Sequence, residues 1–156
     1  MNLTNVNEVL TFAIRKEADA AAFYRMAADR SNLGLKKAFE ELAREEDGHK
    51  KRLETLDLKK MKRAKVKPAP GPAGGPTGLG IAEMFSDVPY SPDMSYADLL
   101  RMAMKNEEAS HYLYTSAAQA VSEQGVKKLL LDLAQEESIH KERLEKIYDK
   151  DILQEF

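Results

Sequence analysis

Each of the three histidines in this 156-residue chain has a glutamate three positions before it: Glu46 and His49, Glu108 and His111, Glu137 and His140. Residues three apart share one face of a helix. Each Glu-x-x-His therefore offers a carboxylate oxygen and an imidazole nitrogen together, a donor pair suited to a divalent cation. One such pair among 16 glutamates would carry little weight. Two of the three, however, are copies of each other. Glu41 to Glu54 aligns with Asp132 to Glu145 at an offset of 91 residues with nine of fourteen positions identical, which superposes Glu46-Asp47-Gly48-His49 on Glu137-Ser138-Ile139-His140. At an offset of 90, Glu17 and Tyr24 match Glu107 and Tyr114, and Ala27-Ala28 matches Ala117-Ala118.

An internal repeat of this size means one supersecondary unit used twice. Gly34-Leu35-Lys36-Lys37 matches Gly125-Val126-Lys127-Lys128, so each unit reads as a helical hairpin, with Gly34 or Gly125 at a turn where a left-handed residue ends a helix. Four apolar seams step by three and four. They run Leu3, Val6, Leu10, Ala13, Glu17, Ala20, Tyr24, Ala27, then Leu35, Phe39, Leu42, Glu46, His49, Leu53, Leu56. The third is Tyr96, Leu100, Ala103, Glu107, Ser110, Tyr114, Ala117, Val121, and the fourth Val126, Leu130, Leu133, Glu137, His140, Leu144, Ile147. The spacing predicts helices near 4–31, 35–60, 96–122 and 126–149, with Ser95 and Asp98 as a capping box for the third. A single domain over 1–156 is expected, made of a hairpin 4–60, a crossover 61–95 and a hairpin 96–149, with all six prolines between Pro68 and Pro92.

The fold expected is all-α, a four-helix bundle whose seams carry an anomaly. Where Leu or Ile should sit, there are four glutamates and two histidines. Buried carboxylates without compensation cost several kcal/mol each, and a metal cluster is the compensation that matches the donor types. The alternative, that these are solvated faces, would put Leu42, Leu53, Leu133 and Leu144 outside as well.

Composition narrows the chemistry. With no Cys, the chain has no thiolate nucleophile, disulfide, Cys-ligated zinc or iron–sulfur centre, so a metal must use oxygen and imidazole ligands. The balance of 24 basic against 26 acidic residues argues against nucleic-acid binding. No signal-peptide pattern and no apolar run of about 18 residues point to a cytoplasmic protein with no membrane partner.

Glu17 with Tyr24, Glu46-Asp47-Gly48-His49, Glu107 with Tyr114, and Glu137-Ser138-Ile139-His140 resemble the di-iron motif of the ferritin-like superfamily, specifically its rubrerythrin branch. The resemblance covers about residues 8–60 and 96–148. It implies two iron ions ligated by Glu17, Glu46, His49, Glu107, Glu137 and His140, with Glu46 and Glu137 as bridges; manganese suits the same donors nearly as well. Rubrerythrins usually add a Cys-rich rubredoxin domain, absent from this sequence. Many also carry a further ligand three residues after the first on the third helix, where Ser110 stands. Glu108 and His111 are the candidates to replace it, and His111 otherwise reads as an interhelical polar residue. Glu45 and Glu136 read as surface carboxylates.

Tyr24 and Tyr114 are candidates to hydrogen-bond a ligand carboxylate or pass electrons, or simply to bury their rings. The basic run Lys59 to Lys67 reads as cations favoured at a helix C-terminus. The function implied is reduction of hydrogen peroxide, or O₂, with electrons from a separate donor such as a rubredoxin-type protein. The alternatives are a ferroxidase or iron-storage protein, and a metal-free structural bundle. A homodimer is expected, and the slack of the crossover also permits the hairpins to be exchanged between subunits. The apolar piece Ile81 to Phe85 is expected to form a helical turn packed on the bundle or on a partner.

Overall fold

Ala, Leu, Glu, Lys and Met dominate both sides of the Pro/Gly stretch, and these side chains lose little rotamer freedom in a helix. A computed structural model describes residues 3–59, 61, 64–69, 80–86 and 90–153. Among the described residues it holds four α-helices: α1 (Val6–Asp29), α2 (Leu33–Glu54), α3 (Tyr96–Ala120) and α4 (Gln124–Asp151). The chain divides into two compact units, Asn7–Lys62 on the one hand and Met1–Val6 with Arg63–Phe156 on the other.

In the first unit α1 and α2 form a hairpin across Arg30-Ser31-Asn32. Asn32 is extended and its side chain accepts from the Leu35 N–H at 3.2 Å, which starts α2 two residues earlier than the spacing predicts. This cap makes the reversal, so the expectation of a left-handed glycine is corrected. Gly34 lies inside the first turn of α2 and Gly125 inside that of α4, neither with a left-handed backbone. Between the helices the rings of Tyr24 and Phe39 stack with centroids 6.2 Å apart, and the Arg25 guanidinium pairs with Asp47. The buried face is wider than the seam. Val9, Phe12, Ala21, Ala28 and Ala43 are buried beside it, because a helix against a globular core covers more than two positions per heptad.

α2 ends at Glu54, short of the predicted 60. The Thr55 hydroxyl and N–H both turn back to the Arg52 carbonyl, and Asp57 accepts from the Lys59 N–H, local bonds that compete with continuing the helix. The basic run therefore starts beyond the helix, and its C-terminal dipole meets Lys51 and Arg52 instead. Residues 60, 62 and 63 of that run lie outside the described residues.

In the second unit α3 and α4 pack antiparallel: Arg101 bonds the Tyr148 hydroxyl at one end and His111 meets Ala134 nearer the other. Ser95 caps α3 as expected, its hydroxyl accepting from the Asp98 N–H at 3.1 Å, while the Asp98 carboxylate goes to Arg101. Part of the crossover packs on α3. Tyr112 donates to the Pro68 carbonyl at 2.7 Å, and Thr4 and Val6 exchange backbone bonds with Val66 and Ala64. The expected turn is a 3-10 helix, Ile81–Met84, with Ile81 and Phe85 buried and the Ser86 N–H bonded to Asn106 on α3. Residues 70–79 and 87–89 lie outside the described residues, and with them most of the stretch on which hairpin exchange turns.

Candidate metal centre

The six seam residues that carry a carboxylate or an imidazole are all buried. Glu17, Glu46, His49, Glu107, Glu137 and His140 are at most 2% exposed. Their neighbours explain why they stay inside: Leu42 and Leu53 bracket Glu46 and His49 on α2, and Leu133 and Leu144 bracket Glu137 and His140 on α4. Turning either ionisable pair to water would expose those leucines, at about 2 kcal/mol each.

In the first hairpin His49 Nδ1 lies 3.3 Å from Glu46 Oε1 on its own helix and 3.6 Å from Glu17 Oε1 on α1. In the second, His140 Nδ1 lies 3.4 Å from Glu137 Oε1 and 3.5 Å from Glu107 Oε1. Each hairpin thus builds the same half-site, two carboxylates converging on one imidazole nitrogen. Ligands of one divalent cation, each about 2.1 Å from it, lie roughly 3.2 Å apart when they subtend about 100°. The four distances match that edge length better than they match short charge-assisted hydrogen bonds. Buried side-chain atoms that make no hydrogen bond include Glu17 Oε2, Glu46 Oε1, both ring nitrogens of His49, Glu107 Oε2, both oxygens of Glu137 and His140 Nδ1. All of these side chains stand within ion-pairing range of a neighbour. The donor set fits a metal: it is rich in lone pairs and poor in protons, and Glu46, His49, Glu137 and His140 each offer a ligand atom.

The remaining candidates sit differently. Tyr24 and Tyr114 are buried two helical turns beyond Glu17 and Glu107. Tyr24 is held by rings, stacked on Phe39 and edge-on to Phe23 at 5.6 Å; Leu130 occupies the position of Phe39 in the other repeat. Glu108 is exposed, 3.7 Å from Lys141 on α4. His111 is half-buried, its Nδ1 2.8 Å from the Ala134 carbonyl oxygen. Ser110, Glu45 and Glu136 are half-buried. The Arg25–Asp47 pair and the anchoring of the 3-10 turn by Asn106 follow no helical spacing, so the sequence alone does not announce them.

No helix among the described residues is long and apolar enough to cross a membrane. No curated protein matches the chain. Among solved structures, one assigned as a ferritin-like diiron-carboxylate protein from Thermotoga maritima superposes with a TM-score of 0.75 at 20% identity, covering 97% of this chain and 98% of that one. A hypothetical protein from Pyrococcus furiosus superposes with a TM-score of 0.69 at 28% identity over 92% of this chain and 88% of that one. The fold is accordingly all-α and ferritin-like, without a rubredoxin domain in these 156 residues. The Rubrerythrin family model matches residues 8–70 and 98–155, which span both hairpins and both Glu-x-x-His pairs, and the chain belongs to the rubrerythrin family.

Proposed function

We propose that Glu17, Glu46, His49, Glu107, Glu137 and His140 hold two iron ions, and that the protein reduces hydrogen peroxide with electrons from a separate donor. The observation that carries this reading is the doubled half-site, a buried Glu-x-x-His meeting a glutamate of the neighbouring helix at 3.6 Å in one hairpin and 3.5 Å in the other. Two iron ions supply one electron each, the two required to split a peroxide O–O bond with uptake of two protons to give two waters.

The chain's own groups do the rest. Four carboxylates carry a charge of −4, which balances two divalent cations and makes six buried ionisable groups tolerable in an apolar layer. Nδ1 of His49 and His140 faces the carboxylates, so with a cation held between them that nitrogen would give its lone pair to the metal and the ring proton would sit on Nε2. Ala13, Ala103 and Ala117 are buried on the seams, where side chains this small would let a small oxidant approach. With no Cys in the chain, the donor in this reading is a separate molecule.

The test is turnover. Iron-loaded protein supplied with peroxide and a chemical or protein electron donor should consume peroxide over many cycles. A single stoichiometric oxidation with the ferric iron retained would overturn this reading in favour of a ferroxidase or storage protein.

A further inference from the structure

The two half-sites are alike in geometry and unlike in how they are held. His111 Nδ1 lies 2.8 Å from the carbonyl oxygen of Ala134. A carbonyl only accepts, so Nδ1 carries the proton, and the second lone pair of that oxygen remains for its own helix. Ala134 is three residues before Glu137, and His111 four after Glu107. The bond therefore ties α3 to α4 within two helical turns of the contact between Glu107 and His140. His111's own backbone is held too, its carbonyl accepting from the Thr115 hydroxyl at 2.8 Å.

The first hairpin cannot make this bond at the equivalent positions. At the repeat offsets His111 corresponds to Ala21 and Ala134 to Ala43, both buried and neither able to donate from a side chain. There the helices are cross-linked by Arg25 and Asp47, whose side chains are 54% and 41% exposed, a pairing that water and salt weaken.

The geometry points to His111 as a positioning residue: its bond to the Ala134 carbonyl sets the register of α3 against α4, so that Glu107, Glu137 and His140 form the tighter of two metal half-sites. This rests on the metal reading above. Groups that orient ligands without touching the ion commonly change affinity by about 10- to 100-fold when removed. Asparagine can place its side-chain N–H near the position of His Nδ1, which separates the hydrogen bond from the ring.

The experiment is an anaerobic Co(II) titration of metal-free protein, followed by visible absorption. Wild-type protein should bind two equivalents with unequal affinity. His111→Leu should weaken the tighter equivalent roughly tenfold and leave the other, and His111→Asn should keep both. An unchanged isotherm in His111→Leu, or equal weakening of both equivalents in both variants, overturns the proposal. If wild-type protein takes up no Co(II), the metal reading falls instead. The positioning role is then read in metal-free protein by amide exchange at Ser138, whose N–H bonds the Ala134 carbonyl within α4. Faster exchange in His111→Leu, restored in His111→Asn, supports the register contact, and exchange equal to wild type overturns it.

Discussion

Glu107 Oε1 lies 3.5 Å from His140 Nδ1 across the α3–α4 interface, with both side chains shut away from water. Such a pairing is costly without a cation, and this gives the first prediction. Replacing Glu107, Glu137 and His140 together by Leu should raise the melting temperature of the metal-free protein, since exchanging a whole buried ionic cluster for apolar side chains commonly gains about 2 kcal/mol, or roughly 4–8 °C for a chain of this size. The same variant should lose metal. Calorimetry of metal-free wild type and variant, with metal analysis of both after reconstitution, checks the pair of outcomes.

Metal should in turn stabilise the wild type. At 100 times the dissociation constant a ligand that binds only the folded state adds about 2.7 kcal/mol. The expected result is a melting temperature that rises with added Fe(II) under anaerobic conditions and falls back with a chelator. A metal-free protein that melts at the same temperature would favour a structural bundle.

The N-terminus of α3 should be acid-sensitive. Arg101 first, and Ser95 second, hydrogen-bond the Asp98 carboxylate and hold it below its ordinary value. A carboxyl with a lowered folded pKa contributes stability above its unfolded value of 3.8, and this contribution is lost as pH falls through the lowered one. Arg101→Ala should therefore flatten the decline in stability below about pH 4, measured by denaturant midpoints across pH. Ser95→Ala should cost about 1 kcal/mol at neutral pH through loss of the cap.

Tyr96 should act at the other extreme. Burial first, and the Asp151 charge second, push its hydroxyl up to about 12. The unfolded chain loses that proton near 10 and the folded one near 12, so this contribution is complete below about pH 10 and disappears as pH rises toward 12. The Tyr96 oxygen is also buried without a hydrogen-bond partner. Tyr96→Phe should remove the alkaline loss and leave neutral-pH stability equal or slightly higher, checked by unfolding midpoints between pH 8 and 12.

Much of the architecture was legible because it depends on spacing along one helix. The offset repeat marks the two hairpins, and Glu at i with His at i+3 is a property of a single helix, readable before any helix is placed. The ends of elements were less legible. α2 stops at Glu54 because Thr55 and Asp57 bond locally, and the hairpin turns on Asn32 instead of Gly34, short-range competitions that apolar periodicity does not register. The width of the buried face, including Val9, Phe12 and Ala43, depends on what each helix lies against.

By itself, then, the sequence determined four helices in two copies, an apolar layer interrupted by four carboxylates and two imidazoles, and a chemistry without thiols, because periodicity and residue type are local properties. Tertiary structure alone decided which atoms meet. The approach of Glu17 to His49 depends on how two helices pack, as does that of Glu107 to His140. The bond from His111 to Ala134 ends on a backbone carbonyl, a group every residue possesses, so no residue type could have announced it.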